Sequence, residues 1–206
     1  MALPKSLIDK SLILKQIEIG PMGNFTYFIG DALSNEIAVV DPGWQAEQIS
    51  ELAKEEGFKI KAVLLTHGHF DHVQATGDLL KWHNVPVYIS KKDIVKILGA
   101  EIKFINDSDK IKIGSIELEC IHTPGHTPGG MCFRYKNVLL TGDTLFINAI
   151  GRCDLPGSDE IAMEHSLEKI CKLPDDTLIF SGHGYGPKDW DTLGNQRKTN
   201  PYLQNL

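Results

Sequence analysis

The chain has 206 residues, 42% hydrophobic and 23% charged, which allows one sizeable core and leaves little room for a long disordered tract. Lys and Arg number 21 against 27 Asp and Glu, and the formal charge of −6 has the wrong sign for capturing a phosphate backbone, so nucleic acid is not an expected partner. The opening M-A-L-P-K-S-L-I-D-K carries charges at Lys5, Asp9 and Lys10, so neither a signal peptide nor a membrane span is expected and a cytoplasmic location follows by default.

In chain order, Ala38 to Val40 is the first apolar run that reads as a buried strand, followed by a helical face of Ile49, Leu52 and Ala53. Ala62 to Leu65 predicts a second buried strand. Helical faces then come from Ala75, Leu79 and Trp82, and from Ile94, Val95 and Leu98. Ile111 and Ile113 alternate with Lys110 and Lys112, and Ile116, Leu118 and Cys120 alternate with Glu117 and Glu119, as strands with one polar face do. Val138 to Leu140 is another buried strand. Met163, Leu167, Ile170 and Cys171 share the face of a later helix, with Ser158 expected at its N-cap, Asp159 and Glu160 in its first turn, and Pro174 beyond its end. Leu178 to Phe180 reads as a last buried strand. Cys120, Cys132, Cys153 and Cys171 form no C-x-x-C pair and are read as free thiols. With no repeat and no Gly/Ser linker, the expectation is one mixed α/β (α+β) domain.

The chemistry concentrates directly after the strands. Thr66 to His72 reads T-H-G-H-F-D-H, three imidazoles and a carboxylate within a few residues of an apolar run. T-P-G-H ends at His126, T-G-D at Asp143 and S-G-H at His183, so four strand ends supply metal-binding residue types. If those ends lie along one edge of the sheets, loops on a rigid scaffold bring them together. Packing alone gives no reason for H-x-H-x-D-H, whereas neutral imidazoles and carboxylates suit zinc, iron or manganese, and the lack of a thiolate argues against a closed structural zinc site. His83 and His165, on helical segments, read as ordinary surface or hydrogen-bonding residues.

These motifs resemble the metallo-β-lactamase superfamily, and within it the glyoxalase II-like (hydroxyacylglutathione hydrolase-like) branch. V-D-P-G at Val40 to Gly43, H-T-P-G-H-T-P-G at His122 to Gly129, G-D-T-L-F at Gly142 to Phe146, G-R-C-D-L-P-G and the late R-K-T-N-P-Y-L carry that likeness over about residues 12 to 203. The resemblance implies a four-layer αββα sandwich spanning 1–206 as a single domain, with no separate C-terminal glutathione-binding domain. It implies two metal ions, zinc by expectation with iron or manganese as alternatives. His67, His69 and His126 would hold one ion, Asp71, His72 and His183 the other, and Asp143 would bridge them. Asp71 and Asp143 would thereby serve catalysis. Asp41 has two readings, a group that orients a ligand or a turn residue before Pro42, and His122 reads as a core histidine.

The activity implied is attack of a metal-bound hydroxide on small hydroxyacyl thioesters, with Arg152 and Tyr185 as substrate contacts. Cys153 lacks a local base and is not expected to be a nucleophile. The expected partner is a small-molecule thioester, with no nucleic acid and no membrane; the sequence assigns no oligomeric state. A mononuclear iron persulfide dioxygenase, with His67, His126 and Asp143 as a facial triad, shares the same motifs and is the competing reading. A metal-binding module without catalysis is a third.

Overall fold

The computed structural model describes residues 3, 4, 6–93, 95–97, 99–204 and 206. Its first sheet has six strands in sequential order: β1 (Leu12–Ile19), β2 (Asn24–Asp31), β3 (Glu36–Val40), β4 (Lys59–Leu64), β5 (Val87–Ser90) and β6 (Ile102–Ile105). β1 to β3 pair antiparallel, whereas β3 to β6 pair parallel. The second sheet holds β7 (Lys110–Ile113), β8 (Ile116–His122), β9 (Met131–Tyr135) and β10 (Val138–Gly142). A separate short hairpin, β11 (Leu145–Phe146) and β12 (Ala149–Ile150), precedes β13 (Leu178–Ser181) and β14 (Asp191–Thr192), which complete that sheet beyond β10.

Side-chain alternation divides the core into three layers. Phe25, Tyr27, Ile29, Val40 and Leu64 meet Leu118, Phe133, Leu140 and Phe180 between the sheets. On the opposite face of the first sheet, Phe28, Ile37, Val39 and Val63 pack against Ile49 and Ala53 of α1 (Ala46–Glu55). On the far side of the second sheet, Cys132, Leu139 and Ile179 pack against Met163, Leu167 and Ile170 of α4 (Glu160–Ile170) and Leu193 of α5 (Leu193–Thr199). Strands such as β2, buried on both faces, cannot show a polar alternation because neither face meets water. The result is the expected αββα sandwich.

Several local expectations change. The helix capped by Ser158 begins one residue later: Asp159 is the N-cap and accepts from Ala162 N at 3.0 Å, while the Ser158 hydroxyl donates to Leu155 O at 2.6 Å. The Ala75, Leu79, Trp82 helix shrinks to one turn, α3 (Thr76–Leu79), leaving Trp82 53% exposed. A further single turn, α2 (Phe70–Val73), carries part of the histidine motif. The helix expected around Ile94, Val95 and Leu98 is not formed at Val95, and Ile94 and Leu98 lie outside the described residues. Just before it, Lys91–Asp93 makes a 3-10 turn whose Asp93 carboxylate is drawn into bonds with distant loops, a tertiary demand that overrides helical periodicity. All four cysteines are free. Among the described residues no helix is long and apolar enough to cross a membrane.

Hairpin β11–β12 is held against α5 by two wholly buried amides. Gln196 Oε1 accepts from Asn148 N at 2.7 Å, and Asn200 Nδ2 donates to the carbonyls of Ala149 at 3.0 Å and Phe146 at 3.3 Å. Removing the Asn200 amide takes a donor from both carbonyls, so Asn200→Ala is expected to cost about 1–3 kcal/mol. Urea denaturation checks this; an unchanged midpoint would show that the clamp contributes nothing.

Candidate metal centre

Five of the expected ligands sit just past strand ends and two on the short helix that follows, and all seven fall in one cluster. β4 leads to His67 and His69, β8 to His126, β10 to Asp143 and β13 to His183. His69 is extended and Asp71 and His72 lie on the helical turn α2, so the H-x-H half and the D-H half of the motif reach the pocket by different geometries. His67, His69 and His126 form one group able to hold an ion, and Asp71, His72 and His183 another. Asp143 lies between them, with Oδ2 3.5 Å from His126 Nε2 and 3.4 Å from His183 Nε2, and Oδ1 3.5 Å from His72 Nε2.

The outer nitrogen of four rings determines what the inner one offers. His72 Nδ1 lies 3.0 Å from Asp41 Oδ2, His126 Nδ1 2.8 Å from Arg152 O, and His183 Nδ1 3.0 Å from Met22 O. Carboxylates and carbonyls only accept, so each Nδ1 bears the proton and each Nε2 of the neutral ring presents a lone pair inward. Thr66 Oγ1 donates to Asp41 Oδ2 at 2.6 Å and therefore accepts from His67 Nδ1 at 3.0 Å, with the same consequence for His67 Nε2. His69 turns Nδ1 inward, 3.2 Å from His67 Nε2 and 2.9 Å from His126 Nε2; His72 Nε2 and His183 Nε2 are 3.1 Å apart. With Nδ1 protonated on both, neutral His72 and His183 would oppose Nε2 lone pairs across 3.1 Å, whereas a neutral His69 can donate from Nδ1 to His67 or His126. Ligand atoms around one ion with bonds of about 2.0–2.1 Å are spaced at about 3 Å, which removes the conflict.

Two further observations fit a bound cation. Asp143 Oδ1 is buried without a hydrogen-bond partner, which carries a cost unless another group satisfies it. Gly182 leaves room for that atom: a Cβ there would stand 2.3 Å from Asp143 Oδ1 and 3.0 Å from His72 Cε1. In the absence of a metal, protons take the cationic role. Burial disfavours charge on His183, but Asp143 and Asp71 outweigh it and raise its pKa to about 9. Burial likewise opposes charge on His72, yet Asp143 and Asp41 hold its pKa well above the usual value. Burial and the neighbouring His72 cation keep His67 well below it.

Asp41 combines a turn conformation with hydrogen bonds to His72 and Thr66. It adopts a left-handed φ of 50° before Pro42, and its carboxylate also accepts from Thr66 N at 2.8 Å. Three residues in the same network were missed from sequence. Asn24 Nδ2 donates to Asp71 Oδ2 at 3.0 Å. Asp93 accepts from Gly68 N at 3.1 Å, Thr127 Oγ1 at 2.5 Å and Gly129 N at 2.8 Å, joining the His67–His69 loop to the His126 loop. Thr66 links Asp41 to His67. None belongs to a residue type or spacing that marks such a role.

Tyr185 is 60% exposed at the cleft over the pocket and stacks on His183 with ring centroids 4.4 Å apart. Arg152 lines the same cleft, but its side chain pairs with Asp154; only its carbonyl reaches the pocket, through His126. His122 is half-buried and bonded to Pro128 O at 3.1 Å rather than enclosed in the core, because it ends β8 facing a loop. His83 pairs with Ser50 at 2.8 Å, and His165 is exposed on α4, both apart from the seven candidates.

A family model described as the metallo-beta-lactamase superfamily matches residues 19–183. The chain is 34% identical over 184 residues to the probable polyketide biosynthesis zinc-dependent hydrolase PksB of Bacillus subtilis, covering 88% of this chain and 82% of that protein. It is 33% identical over 187 residues to the hydroxyacylglutathione hydrolase GloC of Haemophilus influenzae, covering 81% of this chain and 86% of that protein. The crystal structure of ETHE1 from Myxococcus xanthus superposes with a TM-score of 0.85 at 25% identity, covering 94% of this chain and 85% of that chain.

Because Asp41 fixes the proton on His72 and supports His67 through Thr66, Asp41→Asn should weaken zinc affinity about 10- to 100-fold without removing an expected ligand. Competition against a chromophoric chelator measures this; an unchanged affinity would show that Asp41 does not orient the rings.

Proposed function

The chain belongs to the metallo-beta-lactamase superfamily, and from that premise we propose that it is a metal-dependent hydrolase cleaving small hydroxyacyl thioesters, in the manner of the glyoxalase II-like branch. The observation that carries the reading is the clustering of five imidazoles and two carboxylates, five of which (His69, Asp71, His126, Asp143 and His183) open onto one cleft while His67 and His72 lie buried beneath it, with Asp143 Oδ1 lacking a hydrogen-bond partner. We assign His67, His69 and His126 to one ion, Asp71, His72 and His183 to a second, and Asp143 to both, with zinc the expected metal.

Bound there, the metal supplies Lewis acidity and a water whose pKa is lowered toward neutrality. The chain's own residues prepare the site for it. Asp41, Thr66, Arg152 O and Met22 O hold the rings in the tautomers that ligation requires. Asn24 keeps one oxygen of Asp71 oriented, while Asp93 ties together the loops that carry His67, His69 and His126. Tyr185, at the mouth and stacked on His183, is assigned a substrate contact, as is Arg152. In the overall reaction water adds to the thioester carbonyl carbon, the carbon–sulfur bond breaks, and a carboxylic acid and a thiol are released.

Metal removal should abolish turnover and lower the melting temperature, with both restored by zinc, manganese or iron, because a metal held only by the folded state stabilises it. Unchanged stability and turnover after verified removal would overturn the metal assignment. Metal content together with oxygen uptake separates the competing chemistry. Two ions with oxygen-independent thioester cleavage are expected, whereas one iron with persulfide-dependent oxygen consumption would replace hydrolysis by dioxygenation.

The seven assigned residues are tested against two histidines outside the pocket. Asp143→Ala should reduce kcat far more than His83→Ala or His165→Ala, by on the order of a hundredfold or more if it acts on both ions. Similar kcat for the three folded variants would contradict the assignment.

A further inference from the structure

We infer that the cleft over the metal centre selects a thioester bearing an aliphatic chain over one on an anionic carrier; this rests on the thioester reading and names its substrate class. The cleft has a volume of about 580 Å³, and outside the candidate ligands its wall includes Met22, Phe70, Phe146, Ile150, Leu155 and Tyr185. Met22, Phe70 and Tyr185 are all exposed. Single exposed apolar side chains need no explanation, but here they converge on one concavity that contains the reactive groups.

The wall is preformed. Phe146 meets His183 and Tyr185 edge-on, with centroids 6.0 and 5.7 Å apart, and Trp44 backs Phe70 edge-on at 6.2 Å. Trp44 is itself anchored, its indole Nε1 donating to Asn24 Oδ1 at 2.9 Å. Gln196 and Asn200 hold the hairpin that carries Phe146 and Ile150. An apolar group entering the cleft therefore loses water contact without first ordering these side chains.

Charge around the cleft points the same way. Among the described residues Arg152 is the one Lys or Arg lining it, and its guanidinium donates to both carboxylate oxygens of Asp154, at 2.6 and 2.8 Å. That pair is exposed, and such pairs contribute little, so it does not by itself exclude an anion. Glu160 and Glu164 add to it, lining an adjoining cleft that shares Ile150 and Arg152. Three carboxylates against one guanidinium disfavour a carrier that places its own carboxylates at this rim. The aliphatic chain can be carried by the acyl half or by the thiol half, since the same wall serves either.

The test uses the metal-loaded full chain and two ester series. In one, N-acetylcysteamine carries lactoyl, 2-hydroxypentanoyl or 2-hydroxyheptanoyl; in the other, lactate is esterified to ethanethiol, butanethiol or hexanethiol. In at least one series kcat/KM should rise about fourfold for each methylene that becomes buried. S-lactoylglutathione should fall below the lactoyl ester of N-acetylcysteamine. The series that rises identifies which half carries the chain. Calorimetric affinities of non-hydrolysable S-alkyl thioethers of N-acetylcysteamine should strengthen with alkyl length, and Phe70→Ser should flatten that gradient. If no ester is cleaved but the thioether gradient persists and responds to Phe70→Ser, the thioester reading fails and the apolar selection stands. Gradients that are flat for esters and thioethers alike, or a preference for S-lactoylglutathione, would overturn the inference.

Discussion

Five imidazoles and two carboxylates cluster at one edge of the sheets, and the outward nitrogens of four of the rings already have partners. Asp41, Thr66 and the carbonyls of Met22 and Arg152 fix those nitrogens. Each of these bonds commits a neutral ring to one tautomer and turns a lone pair inward, where nitrogen atoms stand 2.9–3.2 Å apart. That concentration of donors is costly without positive charge. Against the effect of burial, Asp143 and Asp71 raise the pKa of His183 to about 9, the direction expected where carboxylates favour positive charge. Metal affinity and proton affinity are thus two responses to one electrostatic arrangement.

The sandwich serves this arrangement by placing strand ends together. β4 comes from the first sheet and β8, β10 and β13 from the second, so the candidate ligands assemble where the two sheets meet. Bonds across the layers hold that edge in register. Tyr27 on β2 donates to Ser181 O on β13 at 2.5 Å, and Asp93 after β5 joins loops that follow β4 and β8. The burial of Phe133, Phe180 and Leu64 between the sheets supplies the rigidity on which the distances in the pocket depend.

Six strands and the mixed α/β class were legible in sequence because β3, β4, β10 and β13 are short apolar runs and β7 and β8 alternate cleanly, whereas the four-layer arrangement was implied by the family resemblance and not by that pattern. The seven candidate ligands were legible because H-x-H-x-D-H has no packing rationale and the other three follow such runs. The outer partners were not. Asn24, Thr66 and Asp93 are common polar residues whose role depends on contacts 25 to 47 positions away or on a single neighbouring ring, which no local pattern records. The wrong cap at Ser158 and the missing helix at Val95 have different causes. Several local choices were open: at the cap, bonds spanning three residues selected Asp159 over Ser158, and at Asp93 bonds to distant loops decided the backbone before Val95. The paired state of Arg152 was equally invisible, since Asp154 two residues later is read only as another surface charge.

The inward lone pairs are assigned to two adjoining metal positions joined by Asp143. Anomalous diffraction from crystals of the zinc-loaded protein, recorded on both sides of the zinc absorption edge, tests this assignment directly. The account predicts two peaks, one among His67, His69 and His126 and the other among Asp71, His72 and His183, with Asp143 contacting both. A single fully occupied peak, or peaks away from these side chains, would contradict it.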